Sequence, residues 1–208
     1  VETHTRETQG RLDPNDALEI LKEGNARFRA NLKANRNLLQ QVHETRDGQW
    51  PFAVVLSCID SRASAELIFD QGLGDIFSVR IAGNFLNDDI LGSMEFSCRV
   101  AGAKLVVVLG HSRCGAVKGA CDHVELGLLT GMLKNIQPAV DAVASSSPGQ
   151  DHSAANADFV QRVAAENVRR SVDGIPKRSA VLREMRDDGA IQIVGAMYDV
   201  ASGAVNFL

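Results

Sequence analysis

Apolar residues along this chain gather into two unbroken runs, each ending abruptly in polar side chains capable of chemistry. Phe52–Ser57 (FAVVLS) is followed by Cys58, Asp60, Ser61 and Arg62, and Lys104–Gly110 (KLVVVLG) by His111 and Cys114. Short continuous runs rich in Val and Leu predict strands buried on both faces, as in a parallel sheet. Asp75–Ile81 (DIFSVRI) alternates well enough for another strand, and Ala82–Asn84 turns away from it. Ala190–Val200 (AIQIVGAMYDV) predicts a fourth, which Ala201–Gly203 turns into a short hairpin with Ala204–Leu208.

Between the strands the pattern is helical. Val1–Arg11 is polar and without period, which predicts a loose arm. Asp13 and Pro14 read as N-cap and first helical position. Leu18, Leu21, Phe28 and Leu32 then share one face of a helix running to about Asn31. No strand neighbours this helix in sequence, so it packs either on another subunit or across its own domain. Asn35–Gln49 predicts a short helix with a loop ending at Gly48, and Ala63–Asp70 a helix stopping near Gly72 and Gly74. Asp88–Val100 predicts a helix with Ile90, Leu91, Met94 and Cys98 inward, and another helix runs from about Cys114 through Ala120. Val124–Ala144 reads as two helical pieces broken at Gly131 or Pro138, followed by a loop at Ser145–Gly149. Asn156–Val172 and Pro176–Asp187 read as two helices separated by Asp173 and Gly174.

This alternation predicts an α/β fold with a mainly parallel β-sheet core flanked by helices. It carries an N-terminal helical arm (residues 1–50) and a short C-terminal antiparallel hairpin, within one domain spanning residues 1–208 whose core is residues 51–208.

Composition narrows the functional classes. In 208 residues, 45% hydrophobic content is enough for a full core without disulfides, and four cysteines do not form a secreted disulfide framework. A net charge of −4 and the lack of a long basic run argue against a nucleic-acid surface. No apolar run approaches the ~18 residues of a membrane span. The expectation is a soluble protein, cytoplasmic or, where the missing initiator Met at Val1 reflects a removed leader, periplasmic.

Ligands of doubly wound sheets gather outside the carboxyl ends of the strands, so Cys58, His111 and Cys114 are expected to meet in space. Taken singly, each cysteine reads as a small buried hydrophobe. Two strands that each end in metal-type ligands change that reading. Two thiols and an imidazole are the three protein ligands of a catalytic zinc site with an open fourth position. Cys98 and Cys121 read as core residues. Asp60 and Arg62 form either an ordinary strand-end ion pair or, beside a metal, a working pair. In that second reading Asp60 binds the metal or accepts a hydrogen bond from its water, and Arg62 holds the carboxylate away by bidentate pairing. No GxGxxG follows the first strand, which argues against a nicotinamide site.

The motifs Cys-Ile-Asp-Ser-Arg (58–62) and His-Ser-Arg-Cys-Gly (111–115) resemble the two signatures of β-class carbonic anhydrases. The resemblance extends through residues 65–84, 91–96 and 107–120 and the closing strand around Tyr198, and covers most of Leu12–Leu208. It implies one zinc ion per chain on Cys58, His111 and Cys114, with Asp60 and Arg62 as the catalytic dyad and Asp60 a fourth ligand only in a closed state. The implied reaction is the reversible hydration of CO2 to bicarbonate and a proton by zinc-bound hydroxide. Ser57, Gly83 and Gly115 stand as substrate-binding candidates. The implied assembly is a homodimer or dimer of dimers with exchanged N-terminal helices. Hydrolysis of carbon oxysulfide or carbon disulfide on the same fold is one alternative, and a non-catalytic zinc-binding module with four protein ligands is another. Some bacterial members carry Trp three residues before the first zinc-ligand cysteine, as part of an inhibitory bicarbonate pocket. Val55 stands there in this chain, although Arg80 and Tyr198 match the pocket's other residues, so an allosteric site of that form is not expected. His4, His43, His123 and His152 read as surface or helix-end residues, and the sequence singles out none as a proton shuttle.

Overall fold

The computed structural model describes residues 2–208. Its sheet contains β1 (Ala53–Ser57), β2 (Ile76–Arg80), β3 (Leu105–His111), β4 (Gln192–Tyr198) and β5 (Val205–Phe207), in the order β2-β1-β3-β4-β5. The first four are parallel neighbours, and β5 closes the sheet antiparallel to β4. The two unbroken apolar runs are the central strands β1 and β3, buried along their whole length. From β1 the chain steps outward to β2 and then crosses back past β1 to β3. The strand order therefore reverses between β1 and β3, the place where such sheets form a crevice at their carboxyl ends. Ser57 pairs with Leu109 across that boundary, which brings the ends of the two strands level.

Although every residue of β1 is buried, its side chains still alternate between two cores. Val54, Leu56 and Cys58 join Val106 and Val108 on one face, and Ala53 and Val55 join Leu105, Val107 and Leu109 on the other. The first face is covered by α5 (Asp88–Glu95), α6 (Gly115–Cys121), α8 (Gln137–Ser145) and α9 (Ala157–Arg178). The second is covered by α2 (Pro14–Arg29) and α4 (Ala65–Ile68). The remaining helices are α1 (Arg6–Arg11), α3 (Leu38–Thr45), α7 (Gly127–Leu133) and α10 (Ala180–Asp187). None of the helices is long and apolar enough to cross a membrane among the described residues.

Four sequence expectations change. The expected loose arm at 1–11, of which Val1 lies outside the described residues, contains α1, because Thr5 and Thr8 form a reciprocal capping box and buried Gln9 donates to Pro51 O (2.7 Å) and Ala101 O (2.8 Å). The expected break at Asp173–Gly174 is absent: α9 runs through Gly174 and Pro176 to Arg178. The break falls instead at buried Ser179, whose N–H closes α9 onto Ile175 O and whose Oγ caps Leu182 N of α10 at 3.0 Å. Likewise α7 and α8 separate at residues 134–136, with Gly131 inside α7 and Pro138 in the first turn of α8, where no N–H is required. Asp88–Val100 is helical as expected, but its last turn, Phe96–Val100, is a π-helix.

The orphan helix α2 finds its partner within the chain. Ala17 and Leu21 lie in the core beneath β1 and β3, and Asn25 donates to Ile68 O (3.1 Å) and Gly203 O (2.9 Å). The helix stops at Arg29, so Leu32 lies beyond it and is 65% exposed. At the α2–α4 contact a Cβ on Gly24 would come within 1.8 Å of the Phe69 carbonyl oxygen. Helix propensity alone favours Gly24→Ala by about 1 kcal/mol. Backbone overlap of that size cannot be relieved by a rotamer change, and overpacking costs about 3 kcal/mol here. Urea unfolding of Gly24→Ala should therefore show a net loss of stability despite the better helix former.

Candidate metal centre

Three ligand-type side chains converge at the strand-order reversal. Cys58 directly follows β1, His111 ends β3, and Cys114 is the N-cap of α6. Between His111 and Cys114 the chain turns through Arg113, which holds a left-handed φ of 58°. The two sulfurs and an imidazole nitrogen all lie within 4.8 Å of one another, and all three residues are buried. Cys58 Sγ and Cys114 Sγ are 4.0 Å apart, with both cysteines free. In a tetrahedral zinc site with Zn–S of 2.3 Å the sulfurs would stand about 3.8 Å apart. The observed spacing fits that requirement closely.

The imidazole is oriented for the same purpose. His111 Nδ1 lies 3.0 Å from Ser112 O, and a carbonyl can only accept, so the proton sits on Nδ1. Nε2 is left as a lone-pair donor, buried and without a hydrogen-bond partner. An unpaired buried acceptor costs about 1–3 kcal/mol, a cost that a ligand at Nε2 would remove. A soft to borderline cation bound by two thiolates and an imidazole answers that need, and zinc suits this donor set.

The two thiols face each other closely enough to share a hydrogen bond. The Cys58 thiol is held below its ordinary range, first by the hydrogen bond it shares with Cys114 and also by the Gly83 N–H, against the opposing effect of burial. That N–H points at Cys58 Sγ from 3.4 Å. Cys114 is pushed up, first by the hydrogen bond it shares with Cys58 and then by burial. The second proton leaves only when a cation replaces it.

Asp60 and Arg62 stand at the rim. Arg62 grips the carboxylate with both arms, Nε to Oδ1 at 2.9 Å and Nη2 to Oδ2 at 2.8 Å, and its backbone N–H adds a bond to Oδ1 at 3.0 Å. Asp60 Oδ2 is 3.9 Å from His111 Nε2. The Arg62 hydrogen bonds hold the Asp60 carboxyl well below the usual carboxylate range, although its burial opposes this. Arg80 of β2 donates to Cys58 O (3.0 Å) and Asp60 O (2.7 Å), fixing the backbone that carries both. Tyr198 of β4 is buried beside His111 in register, and burial raises its hydroxyl.

Of the substrate-binding candidates, Gly83 joins the cluster through its N–H. Its φ is 82°, and a Cβ would meet Ile136 Cδ1 at 2.4 Å. Gly115 is exposed at the start of α6. Ser57 is buried with an unpartnered Oγ and falls on the alternation of Val55, opposite to Cys58. Cys98 and Cys121 lie away from the cluster, their thiols pushed up to about 12 and about 11 by burial. His4 packs edge-on against Phe52 and His152 stacks on Phe159, while His43 and His123 are exposed. A cleft of about 800 Å³ beside β2, lined by Phe77, Arg80 and Phe96, lies off the cluster. The roles of Arg80 and of the Gly83 N–H are not visible in a residue pattern, since both act through the backbone.

Comparison with known proteins adds an independent line. Residues 53–205 match the carbonic anhydrase family model. Carbonic anhydrase 2 of Mycobacterium tuberculosis is 38% identical over 196 residues, covering 92% of this chain and 91% of its own. A carbonic anhydrase of Mycolicibacterium smegmatis is 37% identical over 93% of this chain and 92% of its own. Among solved structures, the β-carbonic anhydrase CafA of Aspergillus fumigatus superposes with a TM-score of 0.73 at 27% identity, over 93% of this chain and 89% of that one.

Proposed function

Since the chain belongs to the β-class carbonic anhydrases, we propose that Cys58, His111 and Cys114 hold its zinc ion and that Asp60 and Arg62 serve the reaction at that metal. The protein is a carbonic anhydrase, and the reaction is the reversible hydration of CO2 to bicarbonate and a proton. The observation that carries the site assignment is the buried convergence of two thiols and an imidazole whose Nε2 has no other partner. Zinc bound there supplies a Lewis acid that acidifies water to a nucleophile near neutral pH.

The chain's own residues do the rest. Ser112 O holds the imidazole proton on Nδ1 and keeps Nε2 free for the metal. The Gly83 N–H stabilises negative charge on Cys58 Sγ. Arg62 keeps the Asp60 carboxylate in a bidentate grip, which would leave a bound zinc three protein ligands rather than four. Held in this way, Asp60 has an oxygen available to accept a hydrogen from the attacking group and orient it toward the carbon. CO2 is small and apolar, so a site at a strand-end crevice needs no large cavity. Carbon oxysulfide and carbon disulfide would yield to the same attack, but the matched relatives are named for carbonic anhydrase.

Assembly as a homodimer or dimer of dimers fits the apolar side chains that the N-terminal arm leaves exposed, Leu38, Leu39 and Val42 on α3. The activity is tested by stopped-flow CO2 hydration before and after chelation. The expected result is one zinc per chain, loss of activity with the metal and recovery when zinc alone is restored. Full activity in metal-free protein would refute the reading.

A further inference from the structure

The turn between β4 and β5 reaches the metal centre through a single residue, Ser112. Its N–H donates to Tyr198 O at 2.9 Å. Its Oγ donates to Asp199 Oδ1 at 3.0 Å and accepts from Val200 N at 3.0 Å. Its carbonyl accepts a hydrogen bond from His111 Nδ1–H at 3.0 Å. Every hydrogen-bonding group of Ser112 is thus committed, three to the end of β4 and one to the imidazole. Asp199 is itself held by the turn, accepting from Ala201 N (3.1 Å), Ser202 N (3.2 Å) and Ser202 Oγ (2.6 Å). The turn is in turn anchored to α2, where Asn25 donates to Gly203 O and accepts from Val205 N.

Resting on the assignment of Cys58, His111 and Cys114 as the zinc ligands, we propose that Asp199 is a positioning residue for the metal. It acts through Ser112 to set the orientation of His111 and its distance from Cys114. The physical need is specific. Ser112 and the left-handed Arg113 are all that separate the two ligands, and this short turn lies outside the ladder of β3. A peptide carbonyl that orients an imidazole must be held still itself, or the ring swings and Nε2 leaves the ligand position. Backbone pairing with Tyr198 fixes one side of Ser112, and the Asp199 carboxylate fixes the other. Groups that orient a metal-bound histidine typically change metal affinity by about 10–100-fold when lost.

The test measures zinc affinity by competition with a chromophoric chelator on the full-length protein, with thermal unfolding of the metal-free form alongside. Ser112→Ala and Asp199→Ala should each weaken zinc about 10–100-fold, and the double variant no more than the worse single, because the two act in series. Asp199→Asn should recover most of the affinity, since an amide oxygen accepts the same bonds from Ser112 Oγ and Ala201 N. Ser202→Ala loosens the turn without touching Ser112 and should leave affinity near wild type. The Co2+-substituted proteins give a second readout: the visible ligand-field bands of Ser112→Ala and Asp199→Ala should shift from those of wild type, while those of Ser202→Ala should not. Wild-type zinc affinity and an unshifted Co2+ spectrum in both Asp199→Ala and Ser112→Ala would overturn the proposal. So would equal losses in Ser202→Ala, which would make Asp199 a turn-stabilising residue only. Failure of wild-type protein to bind zinc would instead refute the ligand assignment, and is read separately.

Discussion

Replacing Cys58 with serine is expected to remove nearly all zinc from the purified protein and to lower CO2 hydration by at least about a thousandfold, since without the metal there is no acidified water at neutral pH. A serine hydroxyl is smaller than the thiol and remains protonated, so the proposed site would lose one of its two anionic ligands. The Gly83 N–H at 3.4 Å would then face a neutral oxygen on a shorter bond. Cys98→Ser and Cys121→Ser provide the contrast. Both thiols are buried at core positions, stay protonated, and lie outside the ligand cluster. These variants should keep full zinc and activity per folded chain while losing some stability, because each buries a hydroxyl in apolar surroundings. Metal analysis and stopped-flow rates on the three variants decide the matter. Wild-type zinc content in Cys58→Ser would end the assignment.

The second large effect concerns the dyad. Arg62→Ala is expected to lower activity about 10–100-fold at neutral pH with zinc content unchanged, the range seen when a partner of a metal-site group is removed. Arg62 is 50% exposed on its side chain, so its loss leaves no buried cavity and the fold should persist. What changes is Asp60, which loses both guanidinium bonds while its Oδ2 already lies 3.9 Å from His111 Nε2. A released carboxylate can turn inward and complete a four-ligand set, closing the site. The sign of the pH dependence follows. With Arg62 present the Asp60 carboxyl is held below its ordinary range, so it stays ionised and gripped throughout the working range. Were zinc held there without Arg62, a site closed by Asp60 would reopen only as hydroxide competed for the position, so the loss should be greatest at low pH and shrink as pH rises. Asp60→Asn removes the charge that drives closure, yet also removes the carboxylate that orients the attacking group, and should be impaired at every pH. Wild-type activity of Arg62→Ala across the whole pH range would leave the pair an ordinary strand-end salt bridge.

Much of this arrangement could be read from residue order. Buried parallel strands need uninterrupted Val and Leu, so Phe52–Ser57 and Lys104–Gly110 announced themselves, and their abrupt polar ends located Cys58, His111 and Cys114. The Asp13–Pro14 start of α2 and the inward face of α5 were legible because capping and helical period are local properties. Where the reading departed from the structure, a tertiary contact outweighed a local preference. Gly174 and Pro176 read as a break, but α9 continues through them in the core and stops where Ser179 can bond to both Ile175 and Leu182. The segment 1–11 lacks periodicity, yet among its described residues 2–11 Gln9 anchors the chain by bonding to carbonyls at Pro51 and Ala101.

The sequence by itself therefore determined the strands, the convergence of Cys58, His111 and Cys114 at their ends and the pairing of Asp60 with Arg62 across two residues. Only the tertiary structure decided that Ser57 points away from Cys58, that α2 packs on its own sheet, and that Asp199 reaches Ser112 across 87 residues. The physical reason is the range of the forces involved. Hydrophobic period and capping repeat along the chain and leave a pattern in it, whereas one hydrogen bond between two distant loops leaves none until the sheet brings its strand ends together.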